Sequence, residues 1–464
     1  MSQKPLIGFG TSGVRGLVTD LTDEVCFAYT KAFLSFLELK GDLKDGLIAI
    51  AGDLRESTDR MMKVVHFAIK DAGLETINCG KIPTPALVLY GITKRIPTIM
   101  VTGSHIPSDR NGIKFNKTSG EILKEDERVI SQMVEIKKVS LKKYNLPPTN
   151  NDARDGYVAR YLNFFPPKLL AGKRSGLYGH SAVGREIIEE IFESLSAEVI
   201  KIEFGEKFVA IDTEAIGNEL RNKAKEWSTK YQLDAIVSTD GDGDRPLLSD
   251  EQGNWITEDI LDIICAKYLG AENLVVTINN STLAEKIGMF KKVVRCKIGS
   301  PYVIEEMNNL AEGGNKLIVG YEANGGFLIG DGFALEALPT RDALIVLLSV
   351  LATAKNSKIS DVLANLPKVY TCSDSVKEFP IEEAERLLKN FDIQLFEKVF
   401  GKIKEINNLD GQRVTLENDE IVHLRSSHNA PEFRYFTEAA TKEMADKLAE
   451  NARGLIINWK INKI

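Results

Sequence analysis

Two hydrophobic periods alternate along the first hundred residues. "GLIAIAGD" (46–53) is a short, unbroken apolar run bounded by glycines, which predicts a buried strand. "STDRMMKVVHFAIKDAG" (57–73) spaces its apolar residues three and four apart between a Ser-Thr start and a Gly stop, which predicts a helix. "TINCG" then reads as a strand, "TPALVLYGI" as a helix with Pro85 in its first turn, and "IPTIMV" as a further strand. This βαβαβ order predicts parallel strands covered on both faces. A polar, Pro- and Asn-rich stretch, "KKYNLPPTNNDARDG" (142–156), reads as a linker. The alternation resumes with "SGLYGH" (strand), "SAVGREIIEEIFESLS" (helix), "AEVIKIEF" and "LDAIVSTD" (strands). A third round begins near residue 256: helix "TEDILDIICAKYLG", strand "NLVVTIN", helix "SPYVIEEMNNLA", strand "KLIVGYE", helix "TRDALIVLLSVLATA". Beyond about residue 371 the apolar runs shorten, and the pattern predicts a smaller α+β domain ending in "TKEMADKLAENARGLIINWKI".

Composition narrows the class. The 464 residues are 43% hydrophobic and 27% charged, as in a globular protein with ample core. The net charge of -7 and the lack of clustered basic residues argue against a nucleic-acid partner, although buried cations could still bind a small anion. No run approaches the roughly 18 apolar residues of a membrane helix. The first residues, "MSQKPLIGFG", lack a signal-peptide core, and five widely spaced cysteines without a CxxC pair fit reduced thiols; a cytoplasmic location is expected.

Five loops carry candidate chemistry. "STDGDGDRPLLSD" (238–250) follows a strand and alternates Asp240, Asp242 and Asp244 with glycines. Carboxylates this close raise one another's pKa unless a cation sits among them, and hard oxygen ligands suit Mg²⁺ or Ca²⁺. An EF-hand would need Gly where Arg245 stands. Arg245 could instead hold an anion bridged to the metal. "VTGSHIPSDRNGIKF" (101–115) places Ser104 and His105 just past a strand end, the position where open α/β sheets bind ligands, with Arg110 and Lys114 nearby. "FGTSGVRG" (9–16) is a Gly-rich loop with Arg15, suited to cradling phosphate. "LIVGYEANGGF" (317–327) offers Glu322 as an acceptor for sugar hydroxyls. "LRSSHNAPEFR" (424–434) gathers Arg425, Ser427, Asn429 and Arg434, the makings of a phosphate pocket.

In their order along the chain, four of these loops resemble those of the α-D-phosphohexomutase superfamily, most closely bacterial phosphomannomutases, and the resemblance covers essentially the whole chain. The resemblance implies an α/β fold: three α/β domains of related topology with mixed, mainly parallel sheets, plus a smaller C-terminal α+β domain, around a central cleft. Their expected bounds are 1–150 (phosphoserine loop), 151–255 (metal loop), 256–370 (sugar loop) and 371–464 (phosphate loop). "TGSHIP" matches the phosphoserine loop, with Gly103 and Ile106 where the family usually has Ala and Asn; the aspartate loop matches intact; "YEANGG" has Asn324 where Ser is usual.

The implied activity interconverts mannose 6-phosphate and mannose 1-phosphate through a phosphoserine and a hexose 1,6-bisphosphate, which also serves as activator. Phosphoglucomutase or dual activity is the alternative. The implied catalytic residues are Ser104, His105, Lys114, Arg15 and Arg245. Lys114 is expected to transfer the proton or stabilise charge at the sugar hydroxyl, with His105 as the alternative. One Mg²⁺ is expected on Ser104, Asp240, Asp242 and Asp244. Glu322, Asn324, Lys297, Arg425, Ser427, Asn429 and Arg434 are expected to bind substrate, with hexose phosphates as the partners. A metal-dependent phosphatase and a non-catalytic sugar-phosphate binder are the rivals from other classes.

Overall fold

A computed structural model of the chain describes residues 7–10, 13–43, 45–138, 145–427 and 431–462. The chain divides into two compact units, residues 1–273 with 300–365, and residues 274–299 with 366–464.

The first unit opens on a seven-stranded sheet. Its order is Gly8–Phe9, Val14–Leu17, Arg110–Lys117, Thr98–Val101, Leu47–Gly52, Glu75–Lys81, with Gly120–Glu121 paired to Arg110–Lys117. The strands read from the apolar runs, Leu47–Gly52, Glu75–Lys81 and Thr98–Val101, are parallel. Strand Arg110–Lys117 adds antiparallel pairings that the apolar runs did not predict. Its period of two explains both its place and its use: Ile113 and Phe115 join the core, while Lys114 points to the opposite face. Helix Thr58–Asp71 buries Met61, Met62, Val65 and Ile69 against the same core.

The second sheet runs Pro246–Leu248, Ala235–Thr239, Arg174–His180, Glu198–Phe204. Its last three strands are parallel and the first is antiparallel, so residues 240–245 form the turn between Ala235–Thr239 and Pro246–Leu248. The chain read as a linker is only partly irregular: a helix, Asp152–Phe164, begins inside it. Tyr157, Val158 and Tyr161 lie on one buried face, and tertiary burial overrides the polar composition of the first turn. Strands Ile318–Tyr321 and Phe327–Ile329 pair as a hairpin whose tip is residues 322–326.

The second unit contains strands Asn273–Thr277 and Lys292–Cys296 and a five-stranded, wholly antiparallel sheet. That sheet runs Tyr370–Lys377, Glu432–Ala439, Ile421–Ser426, Gln412–Leu416, Ile403–Asn407. Three helices cover a core that includes Phe379, Phe396, Leu424, Phe433 and Trp459. All five cysteines carry free thiols. Among the described residues no helix is long and apolar enough to cross a membrane.

Candidate active site

Ser104 follows strand Thr98–Val101 and is fully buried, with φ +52°, a left-handed backbone that a β-carbon disfavours. Local bonds hold it there: its N–H donates to Thr102 Oγ1 (2.8 Å), and its carbonyl accepts from Arg55 (2.8 Å). The hydroxyl donates to Asp240 Oδ2 at 2.6 Å and lies 3.3 Å from His105 Nδ1. Burial, then Arg245 and Arg15, push the His105 pKa well below the usual range.

Asp240, Asp242 and Asp244 are fully buried, with one oxygen of each within 4.8 Å of the others. The turn is built for this: Gly243 has φ +74°, and a β-carbon at 241 would lie 2.8 Å from the Ser104 carbonyl oxygen. Asp242 Oδ2 accepts from Thr84 Oγ1 (2.5 Å) and Lys114 Nζ (2.6 Å); Asp244 Oδ2 accepts from Lys114 Nζ (2.7 Å) and pairs with Arg341 Nη2 (2.7 Å).

The carboxylates do raise one another, and Asp240 is lifted by burial and by Asp242 and Asp244, whereas at the other two a cation, Lys114, sits between the carboxylates. Burial also acts to raise Asp242, and so does Asp244, but Lys114 and Thr84 outweigh both and hold it below the ordinary range. At Asp244 burial is overcome by Arg341, Lys114 and Arg245. Asp242 Oδ1 and Asp244 Oδ1 remain buried without a hydrogen-bond partner. Two orphaned carboxylate oxygens among hard ligands fit a divalent cation such as Mg²⁺.

Cations ring this cluster. Arg15, on strand Val14–Leu17, has its pKa lowered to about 10 by burial and by the neighbouring Arg245 and Arg341. Arg245 is buried; its Nε and Nη1 make no hydrogen bond, and Glu214 lies 3.7 Å from Nη1. Buried guanidiniums crowded together are stable only with anions among them, and a phosphoryl group is one such anion.

Glu322, at the tip of hairpin 318–329, is buried, and burial raises its carboxyl pKa. Its Oε2 lies 3.4 Å from Arg341 Nη1, and its Oε1 makes no hydrogen bond. Asn324 Oδ1 accepts from Gly326 N–H at 3.1 Å, which fixes the side-chain amide. Arg341 was missed in the sequence, where it reads as the polar start of an apolar helix. It is 1% exposed and bridges Asp244 and Glu322, thereby joining the metal loop to the sugar loop. Arg55 and Thr84 were missed for the same reason: each sits inside an ordinary strand–helix junction.

In the second unit, Arg425 and Arg434 stand directly opposite each other on adjacent strands. Ser427 follows the first strand, and its N–H donates to the Glu432 carbonyl at 3.0 Å. Asp410, which the sequence did not single out, accepts from Ile298 N–H (3.2 Å) and lies 3.6 Å from Arg425 Nε; it thus ties the segment holding Lys297 to Arg425. Asn429 lies outside the described residues, as do Thr11 and Ser12 of the first Gly-rich loop.

A buried serine hydroxyl set against three carboxylates and ringed by guanidiniums is equipment that suits phosphoryl transfer. The family models agree: "Phosphoglucomutase/phosphomannomutase, alpha/beta/alpha domain I" matches residues 6–139, and domain III of the same family matches residues 257–370. The chain is 42% identical over 455 residues to the phosphomannomutase of Salmonella muenchen, covering 96% of this chain and 94% of that protein. It is 36% identical to the phosphomannomutase of Sinorhizobium fredii, covering 97% and 98%. The crystal structure of a putative phosphomannomutase from Thermus thermophilus shares the fold at TM-score 0.77 and 21% identity, covering 98% of this chain and all of that one. The chain belongs to the phosphoglucomutase/phosphomannomutase family.

Proposed function

We propose that this protein interconverts mannose 6-phosphate and mannose 1-phosphate, with Ser104 as the phosphoryl carrier. The carrying observation is the Ser104 hydroxyl, buried at 2.6 Å from Asp240 within the ring of Lys114, Arg15, Arg245 and Arg341. A hexose hydroxyl attacks phosphoserine; the P–Oγ bond breaks, a P–O bond to the sugar forms, and the hydroxyl proton leaves to a base. The product, a hexose 1,6-bisphosphate, turns and returns its other phosphoryl group to Ser104; added bisphosphate would therefore also activate dephosphorylated enzyme. Asp240, Asp242 and Asp244, with the serine oxygen, would hold one Mg²⁺, which when bound supplies charge neutralisation at the transferring phosphoryl group.

Lys114 lies between two carboxylates and acts here as a cation that offsets developing charge. His105, at the serine, takes and returns the proton. Glu322 and Asn324 receive sugar hydroxyls. The second phosphate cannot share Ser104, so it needs its own anion site. Arg425 opposite Arg434, with Ser427, Asn429 and Lys297, supplies the groups for one. The free thiols support a cytoplasmic setting.

The test is a side-by-side coupled assay on mannose, glucose and glucosamine 1-phosphates with Mg²⁺. Preference for mannose 1-phosphate supports the reading. Equal turnover of the glucose ester would instead make the enzyme dual, and release of inorganic phosphate in place of isomerisation would make it a phosphatase.

A further inference from the structure

Arg55 is 3% exposed and uses all five of its donors. Nε donates to Asp53 Oδ2 (3.2 Å), Nη1 to the carbonyls of Pro107 (2.7 Å) and Arg110 (2.9 Å), and Nη2 to those of Ser104 (2.8 Å) and Ile106 (2.6 Å). Four carbonyls of one loop thus converge on a single planar cation. The guanidinium has Phe208 on one side, with its carbon 4.0 Å from the ring centroid. It also lies against Gly103, where a β-carbon would come 2.6 Å from Cζ and Nε. Phe208 also touches the aspartate loop, since a β-carbon at Gly241 would meet its ring at 3.1 Å and the Ser104 carbonyl at 2.8 Å.

We propose that Arg55 is a positioning residue that sets the Ser104 loop against the aspartate loop. The inference rests on Ser104 as the phosphoryl carrier. Ser104 holds a backbone conformation that is costly for a side-chain-bearing residue, and such conformations persist only where the surroundings over-determine them. The carbonyls on either side of the serine loop's turn are pinned by Arg55, whereas substrate contacts fall to other groups. Loss of the clamp should therefore slow transfer and leave substrate binding in place.

The experiment compares wild type, Arg55→Lys and Phe208→Leu, each with Mg²⁺, by single-turnover phosphorylation of the protein with hexose 1,6-bisphosphate, peptide mass spectrometry, steady-state kinetics and thermal unfolding. Lysine keeps the charge but lacks the planar fork. Phe208→Leu is a second, milder route that keeps Arg55 and removes the aromatic face against which its guanidinium rests. Misplacement by about 1 Å can cost roughly a hundredfold in rate. Arg55→Lys should thus lose about that factor in kcat and in Ser104 phosphorylation rate, and Phe208→Leu a smaller one, with KM changed less than about threefold and cooperative unfolding kept. Wild-type transfer rates in Arg55→Lys overturn the proposal, as does a rate loss that only tracks loss of folded protein. If the wild-type phosphate is found on a residue other than Ser104, the carrier assignment itself falls; if it is on Ser104 and the variants transfer normally, only the role of Arg55 falls.

Discussion

Single residues carry the transfer chemistry, and each is held by partners distant in sequence. Ser104 has no solvent exposure, so its hydroxyl must be met by protein groups or by a phosphoryl group. Ser104→Ala should remove turnover while leaving the unfolding midpoint nearly unchanged, as read by the coupled assay and thermal denaturation; an active alanine variant would reject the carrier role. The two orphaned oxygens of Asp242 and Asp244 lead to a second expectation: exhaustive chelation should abolish activity and Mg²⁺ should restore it. Arg341 leads to a third. Removing one partner from a buried ion pair leaves the other charge uncompensated, at a cost of about 3–5 kcal/mol. Arg341→Met leaves Glu322 without its paired cation while Asp244 keeps Lys114, so urea unfolding should show a loss toward the lower end of that range, together with loss of turnover.

At the scale of elements, strand period and hairpin register aim these residues. Lys114 reaches Asp242 and Asp244 because its neighbours Ile113 and Phe115 are committed to the opposite, apolar face. In the second unit, strands 421–426 and 432–439 place Arg425 against Arg434. Like charges directly opposite are destabilising on a sheet. Asp410 lies 3.6 Å from Arg425 and Glu432 3.4 Å from Arg434, and an anion between the guanidiniums should add to that relief, so inorganic phosphate should raise the melting temperature of the wild type, and Arg425→Ala should reduce the rise. The same variant should raise KM for hexose phosphate and release more free bisphosphate per turnover. Unchanged values would show that this hairpin does not hold the second phosphate.

For the whole molecule the relevant variable is pH. Burial lowers the pKa of two histidines to about 4: His180 in the first unit and His423 in the second. Each ring sets Nε2 against a backbone carbonyl, at 2.9 Å from Thr239 and 2.6 Å from Asp410, and each Nδ1 is buried without a partner. The unfolded chain takes up protons at these sites below about pH 6.5, whereas the folded chain does so only near pH 4. The stability these two histidines contribute is therefore full above pH 6.5 and falls as pH drops toward 4, by up to roughly 3 kcal/mol for each. Melting curves between pH 7.5 and 4 should show this slope, and His180→Gln and His423→Gln should each flatten part of it.

The sequence by itself determined the chemistry of each loop: three carboxylates separated by glycines, a serine beside an imidazole past a strand end, and two arginines with hydroxyls. Those groups are neighbours along the chain, and the apolar periods around them predict the strands and helices that carry them. It also determined the family, because several such loops occur in one order. Only the tertiary structure decided which loops meet and how charge is distributed where they do. Lys114 and Asp242 are 128 residues apart, and Arg341 and Asp244 nearly a hundred. A period shows which face a residue occupies but not what packs against that face. For that reason the sequence left open whether a cation sits among the aspartates, and the fold supplies cations from distant strands and junctions that lower Asp242 and Asp244. For the same reason Arg55 and Arg341 read as ordinary polar residues until the fold surrounds them with carbonyls and carboxylates.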